Sequence, residues 1–512
     1  MTVRVSTLLI IAFIFNAIIC MALFATGPLQ DLVNSNTILY MLCLSIIIII
    51  PLAFYKGINY PLLVFLAIYV LEKYCGSVVG MLIIPRVNGG WRFSSFESFT
   101  HHDVNHVMIY AIFSTFMFVS ALCRFSDDDA RNMDRSNDDI SSTKSMLPIK
   151  PKTLLIMVIF LLGIRFLYNT FVYDVYQGSS SANANSNANF LSLFINPSPF
   201  IWLSLGYIIL KYKSLIRSDF RICVVILCLC SVVSYLSGSR SFIYSLSLLT
   251  VFLFFVKFRS PTIPVRSIPI FALVAFSAIL LFGVTSGIRY AIHNRLSFKS
   301  VINSVKWLYF NNNQRHDSAF ALLATDVLLR VTNLPPSLAI MNDRWKVPPE
   351  KYINLKTILE DSINGCVPQV IGKPFDDVIR GPAVYSFVYL GLTDPTIYNT
   401  EYFGIYEYIY LFFGYVAALP ILYIYALLIS YVWRKIAYGK SVFKPFIIVW
   451  FCEAYWELLI NMGASLFITA IIRNLLVIGL YYGILNAFNG IRDYRMWDAE
   501  KISIANSIRA VD

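Results

Sequence analysis

Apolar residues run through this chain in long blocks, without the polar face that a 3.6-residue period would give a helix packed in a soluble protein. The first block extends from about Thr7 to Phe24, and comparable blocks recur to about residue 488. Eighteen or more apolar residues suffice for a helix to cross the ~30 Å hydrocarbon core of a bilayer. The pattern predicts twelve spans, at about 5–25, 37–55, 60–84, 104–123, 153–175, 196–211, 221–237, 241–257, 268–288, 404–433, 445–461 and 466–488. The fold class expected is an all-α polytopic membrane protein.

Composition agrees. Of 512 residues 58% are hydrophobic and 14% charged, against about 25% charged in soluble domains. The first block is longer than a signal-peptide core, and "ALFATGPLQ" lacks an A-x-A cleavage site, so an uncleaved first helix is expected. Nine cysteines show no spacing pattern. Only Cys75 and Cys366 are expected to reach an oxidising side, and no disulfide framework is implied.

The net charge of +12 is a topological signal and not a nucleic-acid one. With the N-terminus inside, the inner segments collect Lys56, the Arg124–Lys152 cluster, Lys211–Arg221, Lys257–Arg266, Arg434–Lys444 and the basic tail. On the opposite side, residues 26–36 and 176–195 hold no Lys or Arg, and 86–103 hold only Arg86 and Arg92. This positive-inside bias places both termini in the cytoplasm. The chain then divides into helices 1–9 (1–288), a large outer loop (289–403), helices 10–12 (404–488) and a cytoplasmic tail (489–512). The acidic stretch "SDDDARNMDRSNDDISSTK" reads as a solvated linker, and "GSSSANANSNAN" as a flexible outer loop. The large loop is rich in Asn, Pro and aromatics, and "SAFALLATDVLL" has helical periodicity, so a partly helical cap is expected there.

Charges at the membrane boundary are the candidate chemistry. Arg240 stands in "SGSRS", a tight turn that the sidedness puts at the outer surface, against the positive-inside trend. Flanking Ser and Gly offer donors for an anion nest; snorkelling to the headgroups is the plainer reading. Glu453 and Glu457 share one helix face, and Arg473 lies in the last span, where an ion pair with Glu457 is the structural alternative. Arg165, Glu72 and Lys73 also fall within spans, with a structural role favoured for Arg165 and Lys73. In the loop, "NNNQRHDSAFALL" sets Arg315, His316 and Asp317 side by side, and "RYAIHNR" adds Arg289. Cations stabilise charge developing on phosphate, and a carboxylate or imidazole deprotonates a hydroxyl. A polar helix start is the other reading of that cluster. "HHDVNH" would put His102 and His106 on one helix face, without further ligands for a metal.

Four features resemble the Wzy-type polymerases of O-antigen and oligosaccharide repeat units in bacterial inner membranes. They are the many spans with one large late loop, the "SGSRSFIYSLSLL" turn, "VPQVIGKPFDD" (367–377), and the Gly- and aromatic-rich re-entry "TEYFGIYEYIYLFFGYVAALPILYIYALL" (400–428). Gln369 departs from the family's commoner Arg. The resemblance implies a fold of the membrane glycosyltransferase C class. It implies transfer of a growing glycan from undecaprenyl diphosphate to another lipid-linked repeat at the periplasmic face. The partners implied are the lipid-linked donor and acceptor, membrane lipid and a chain-length regulator protein. No cofactor or metal is expected, and no GxGxxG or P-loop suggests a nucleotide substrate. Arg240 and Arg315 are expected to bind the diphosphate, assisted by Arg289, Arg380 and Arg473. Asp317, His316 or Glu401 would activate the acceptor hydroxyl. The alternatives are an O-antigen ligase and a polysaccharide or lipid transporter.

Overall fold

The computed structural model describes residues 2–26, 32–88, 99–124, 151–171, 217–236, 334–342, 355–366, 404–439 and 444–460, with scattered positions between 201 and 269 and at 375 and 479. Helix dominates these residues. Strand β1 (Thr2–Arg4) leads into α1 (Val5–Thr26), followed by α2 (Ser35–Phe54) and α3 (Tyr60–Val70). A π-helical turn, Leu71–Cys75, joins α3 to α4 (Gly76–Asn88). Next come α5 (His101–Cys123), α6 (Pro151–Phe171), α7 (Arg217–Leu236) and strand β2 (Thr262–Pro264). Helices α8 (Pro335–Met341) and α9 (Leu355–Cys366) belong to the large loop, and α10 (Ile405–Tyr438) and α11 (Lys444–Ile460) follow it.

Five helical stretches among the described residues are long and apolar enough to cross a membrane: Val5–Thr26, Ser35–Phe54, Tyr60–Ile83, His101–Cys123 and Ile405–Tyr438. Their bounds follow the expected first four spans and the tenth. Helices α6, α7 and α11 occupy the positions of three more.

Burial sorts the spans. In α2 the buried positions Thr37, Met41, Leu44, Ile48 and Pro51 recur every three or four residues, while Leu39, Ile46, Ile50 and Phe54 face outward. Helix α1 turns Ile11, Ile14, Phe15, Ile18 and Met21 outward and buries only Phe13, Ala17 and Cys20. Such apolar outer faces suit a lipid solvent. By contrast α3 is enclosed along Leu62–Ala67. Around it Phe65 meets the rings of Phe252 at 4.7 Å and Trp456 at 5.4 Å.

The polar contacts gather at two ends. At one, β1 pairs antiparallel with β2 (Val3 opposite Ile263). Tyr60 packs on Phe255 there, and Trp433 Nε1 donates to the Ile58 carbonyl at 2.9 Å. Asn59 Nδ2 donates to Ser430 Oγ at 2.7 Å and to the Leu122 carbonyl at 2.8 Å, so one buried amide ties α5 and α10 to the start of α3. Asn59→Ala removes both bonds and is expected to cost about 1–3 kcal/mol, because buried acceptors are left unmade. Thermal unfolding in detergent measures it.

At the other end Asn34 caps α2 through the Thr37 backbone N–H (3.0 Å), and Thr37 Oγ1 donates to Asn105 Oδ1 (2.7 Å) on α5. Asn342, at the C-terminal end of α8, and the start of α10 lie at this same end. These are the segments between spans that the charge count assigns to a single side.

Candidate functional site

A charged pair sits inside the bundle at the second end. Lys73 Nζ lies 2.7 Å from Glu407 Oε1, and both side chains are almost fully buried. Each comes from an irregular piece of helix. Lys73 and Tyr74 occupy the π-helical turn between α3 and α4. Such a turn widens the backbone by one residue and rotates the side chains after it; it is common at functional positions. Glu407 stands in the first turn of α10, nine-residue stub Ile405–Phe413, before the helix breaks at Gly414. Gly414 has φ 68° and ψ −177°, a conformation open essentially to glycine alone.

Glu407 Oε1 is crowded with donors. Besides Lys73 it accepts from Tyr74 Oη at 3.1 Å and from Ser337 Oγ at 2.6 Å. Ser337 belongs to α8, so this short helix reaches the pair inside the bundle. Its segment is buried at Leu334, Ser337, Leu338, Ile340 and Met341, and it packs between α5 and α10. Three more bonds seat it. Tyr410 Oη donates to the Met341 carbonyl at 3.2 Å, and Asn342 Nδ2 donates to the carbonyls of Leu338 (2.8 Å) and Asp103 (3.4 Å). The two carbonyls fix the Asn342 amide, so its Oδ1 is the acceptor facing His106 Nδ1 at 3.1 Å. His106 therefore carries its proton on Nδ1 there. Its ring also stacks on Tyr415 at 5.8 Å.

Tyrosines wall the site. The Tyr69 and Tyr74 rings flank Lys73 Nζ at 5.6 and 5.8 Å from their centroids. Tyr69 packs edge-on to Tyr406 at 5.6 Å, and Tyr406 Oη meets Thr115 Oγ1 at 3.2 Å. The Tyr110 hydroxyl donates to the Tyr406 carbonyl at 3.1 Å. Ser77 Oγ bonds back to the Lys73 carbonyl, supporting the irregular turn. Among the described residues two oxygens stay unmatched: Glu407 Oε2 and Tyr69 Oη are buried without a hydrogen-bond partner there, and Lys73 Nζ meets no second acceptor.

Lys73 is thus paired across the bundle, in the structural arrangement its sequence position suggests. Glu407, Ser337 and Tyr74 carry no such signal on their own. The available clue is physical: a lysine within a span needs a carboxylate, and Glu407 is an acidic residue inside the re-entry stretch 400–428. Arg240, Arg289, Arg315, His316, Asp317, Arg380, Glu401 and Arg473 lie outside the described residues. So do the side chains of Arg165, Glu457 and Cys366. Glu453 is half-buried. Cys75, expected from the sequence to reach an oxidising side, is instead a free, buried thiol 3.7 Å from Ser45 Oγ. Within 367–377 the described residue is Phe375, whose backbone N–H and C=O both bond the Asn364 amide of α9. Among the described residues, no group of three or more His, Cys, Asp and Glu side chains suits a metal.

The fold defines an α-helical membrane protein with the short helix α8 and a buried charged pair in its core. Comparison with known families, curated proteins and solved structures gives no match.

Proposed function

We propose that this chain is a membrane glycosyltransferase that polymerises undecaprenyl-diphosphate-linked repeat units of O-antigen or a related surface polysaccharide. In this reading twelve spans of the glycosyltransferase C class cross the bacterial inner membrane, with both termini cytoplasmic and residues 289–403 periplasmic. The growing glycan passes from its lipid diphosphate to the next lipid-linked repeat. Arg240 and Arg315, with Arg289, Arg380 and Arg473, hold the leaving diphosphate; Asp317, His316 or Glu401 takes the acceptor proton. A chain-length regulator is the protein partner.

One observation carries the reading. Helix α8, from within residues 289–403, packs into the bundle with Ser337 on Glu407. A polymerase whose reacting groups are shared between loop and bundle needs that union. The pairing of β1 with β2, and the grouping of Asn34, Asp103, Asn342 and Gly404 at the other end, fit the sidedness the reading requires.

A transporter is the second reading, because the buried pair lies on a π-turn and beside a glycine break, and interrupted helices line transport sites. Cells lacking the gene separate these. Arg240→Ala introduced into them is expected to leave single-repeat glycans on a gel; full-length ladders from that variant overturn the diphosphate clamp. Loss of a ligase would leave no capped repeat at all. Vesicle uptake of lipid-linked repeats without ladder formation would make the chain a transporter.

A further inference from the structure

The donors around Glu407 outnumber what its carboxylate uses. Lys73 brings an ammonium with three N–H groups, and Tyr69, Tyr74 and Ser337 bring one O–H each. Against them stands one carboxylate, with Oε1 taking three contacts and Oε2 none. Among the side chains contacting Lys73 and Tyr74 here, Glu407 is the single acid. A donor-rich, tyrosine-walled pocket around one lysine is the chemistry of an anion seat, and the anion now in it is a side chain.

That side chain arrives on a stretch of helix that ends at a break. The stub Ile405–Phe413 is separated from the rest of α10 by Gly414. An ideal Cβ at Gly414 would meet no described atom within 4 Å. By contrast Lys73, Tyr69 and Tyr74 stand on one continuous path from α3 through the π-turn, deep in the enclosed part of the bundle. For the seat to open, the stub must shift about Gly414 and release the bonds that Tyr406 makes with Tyr110 and Thr115.

We infer that Lys73, Tyr69 and Tyr74 form a latent binding seat for a phosphate-bearing anion, held closed by Glu407 as a tethered competitor. The ligand class is a phosphate or diphosphate, whose oxygens take the lysine N–H and tyrosine O–H donors gathered around Oε1. As a resting place for the donor's diphosphate the seat rests on the polymerase reading; as a site it rests on the geometry alone. Nothing covalent is required of it.

Competition makes the test direct, using full-length protein in detergent micelles and pyrophosphate as the probe. Glu407→Gln keeps an acceptor oxygen for Tyr74 and Ser337 but removes the competing charge. Pyrophosphate is expected to bind it at least tenfold tighter than wild type by calorimetry, and to raise its melting temperature. Lys73→Met with Glu407→Gln removes the cation and is expected to bind none. Should Glu407→Gln fail to purify folded, Glu407→Ala, which also removes the competing charge, is expected to show the same tightening. Binding in either variant no tighter than wild type overturns the seat, as does binding that survives Lys73→Met. Farnesyl diphosphate in the same micelles assigns the source: at least tenfold tighter binding than pyrophosphate indicates a lipid-borne anion, equal binding a free one. Glycan ladders in cells judge the other claim separately. If deletion of the gene abolishes ladders and pyrophosphate ignores Glu407→Gln, polymerisation stands and the seat falls; the reverse pair of results keeps the seat and rejects the polymerase.

Discussion

Lys73→Met alone is expected to destabilise the protein by about 3–5 kcal/mol, and Lys73→Met together with Glu407→Gln to recover most of that loss. The single change strands the Glu407 carboxylate in a site from which water and lipid are both excluded. Its remaining donors, Tyr74 and Ser337, are neutral hydroxyls on one oxygen. The double change removes both charges, fills the lysine's volume with an unbranched thioether, and still offers a carbonyl oxygen to those hydroxyls. Melting followed by fluorescence-detected gel filtration measures all three proteins in one detergent. Equal losses in the single and double variants would show that packing, and not charge, holds this region together. The result also bears on α8, whose Ser337 gains its partner only while an oxygen is held at Oε1. Loosening of the loop, read as faster proteolysis between residues 330 and 345, should accompany the single variant and not the double.

The membrane character and the helix limits described here are legible in the sequence because the bilayer imposes a length. The expected spans at 37–55, 60–84 and 104–123 differ from the helices by a few residues, and the differences have local causes. Asn34 caps α2 early through Thr37, and the Asp103 carboxylate accepts the Thr100 N–H at 2.7 Å, moving the start of α5 out to His101. Helix α10 runs past 433 because Arg434 and Lys435 suit a helix C-terminus at a membrane surface. The site was much less legible. Tyr74 and Glu407 are 333 positions apart, and no local pattern joins them. The π-turn occupies "LEKYC", which contains neither proline nor glycine; it forms because Lys73 and Tyr74 gain partners on α10 by rotating inward. Gly414 could be noted as a glycine in an apolar run, but nothing in the local sequence marks it as the one with a positive φ. Lys73 was visible as a charge in a span; its partner was not. An arginine-lined groove at the outer rim is the expectation that sequence alone supports, whereas the charge pair is a consequence of tertiary packing.

Gly404→Ala is expected to disturb the buried ion pair by adding a single methyl group. Gly404 precedes α10 with an extended backbone, φ −83° and ψ −177°, so alanine meets no conformational barrier there. Space is the constraint. The added Cβ would fall on the Tyr69 hydroxyl and against the Leu459 carbonyl, with Glu407 Oε2 at 3.1 Å. None of the three yields easily. The Leu459 carbonyl is backbone at the end of α11; Tyr69 is wedged edge-on between Tyr74 and Tyr406 at 5.9 and 5.6 Å; Glu407 is held by Lys73. Overpacking of this kind costs about 1–3 kcal/mol, and the displaced carboxylate lengthens its ion pair besides. Gly414→Ala provides the contrast: it meets open space, so its cost is backbone strain of about 1–3 kcal/mol with the pair left in place. A double-mutant cycle tells the two apart. Gly404→Ala should couple to Glu407→Gln by more than about 0.5 kcal/mol, since both act on one contact, and Gly414→Ala should add independently. Additivity at Gly404 would mean that α11 slides to accommodate the methyl group, and that the close approach of Tyr69 and Leu459 does not position the carboxylate.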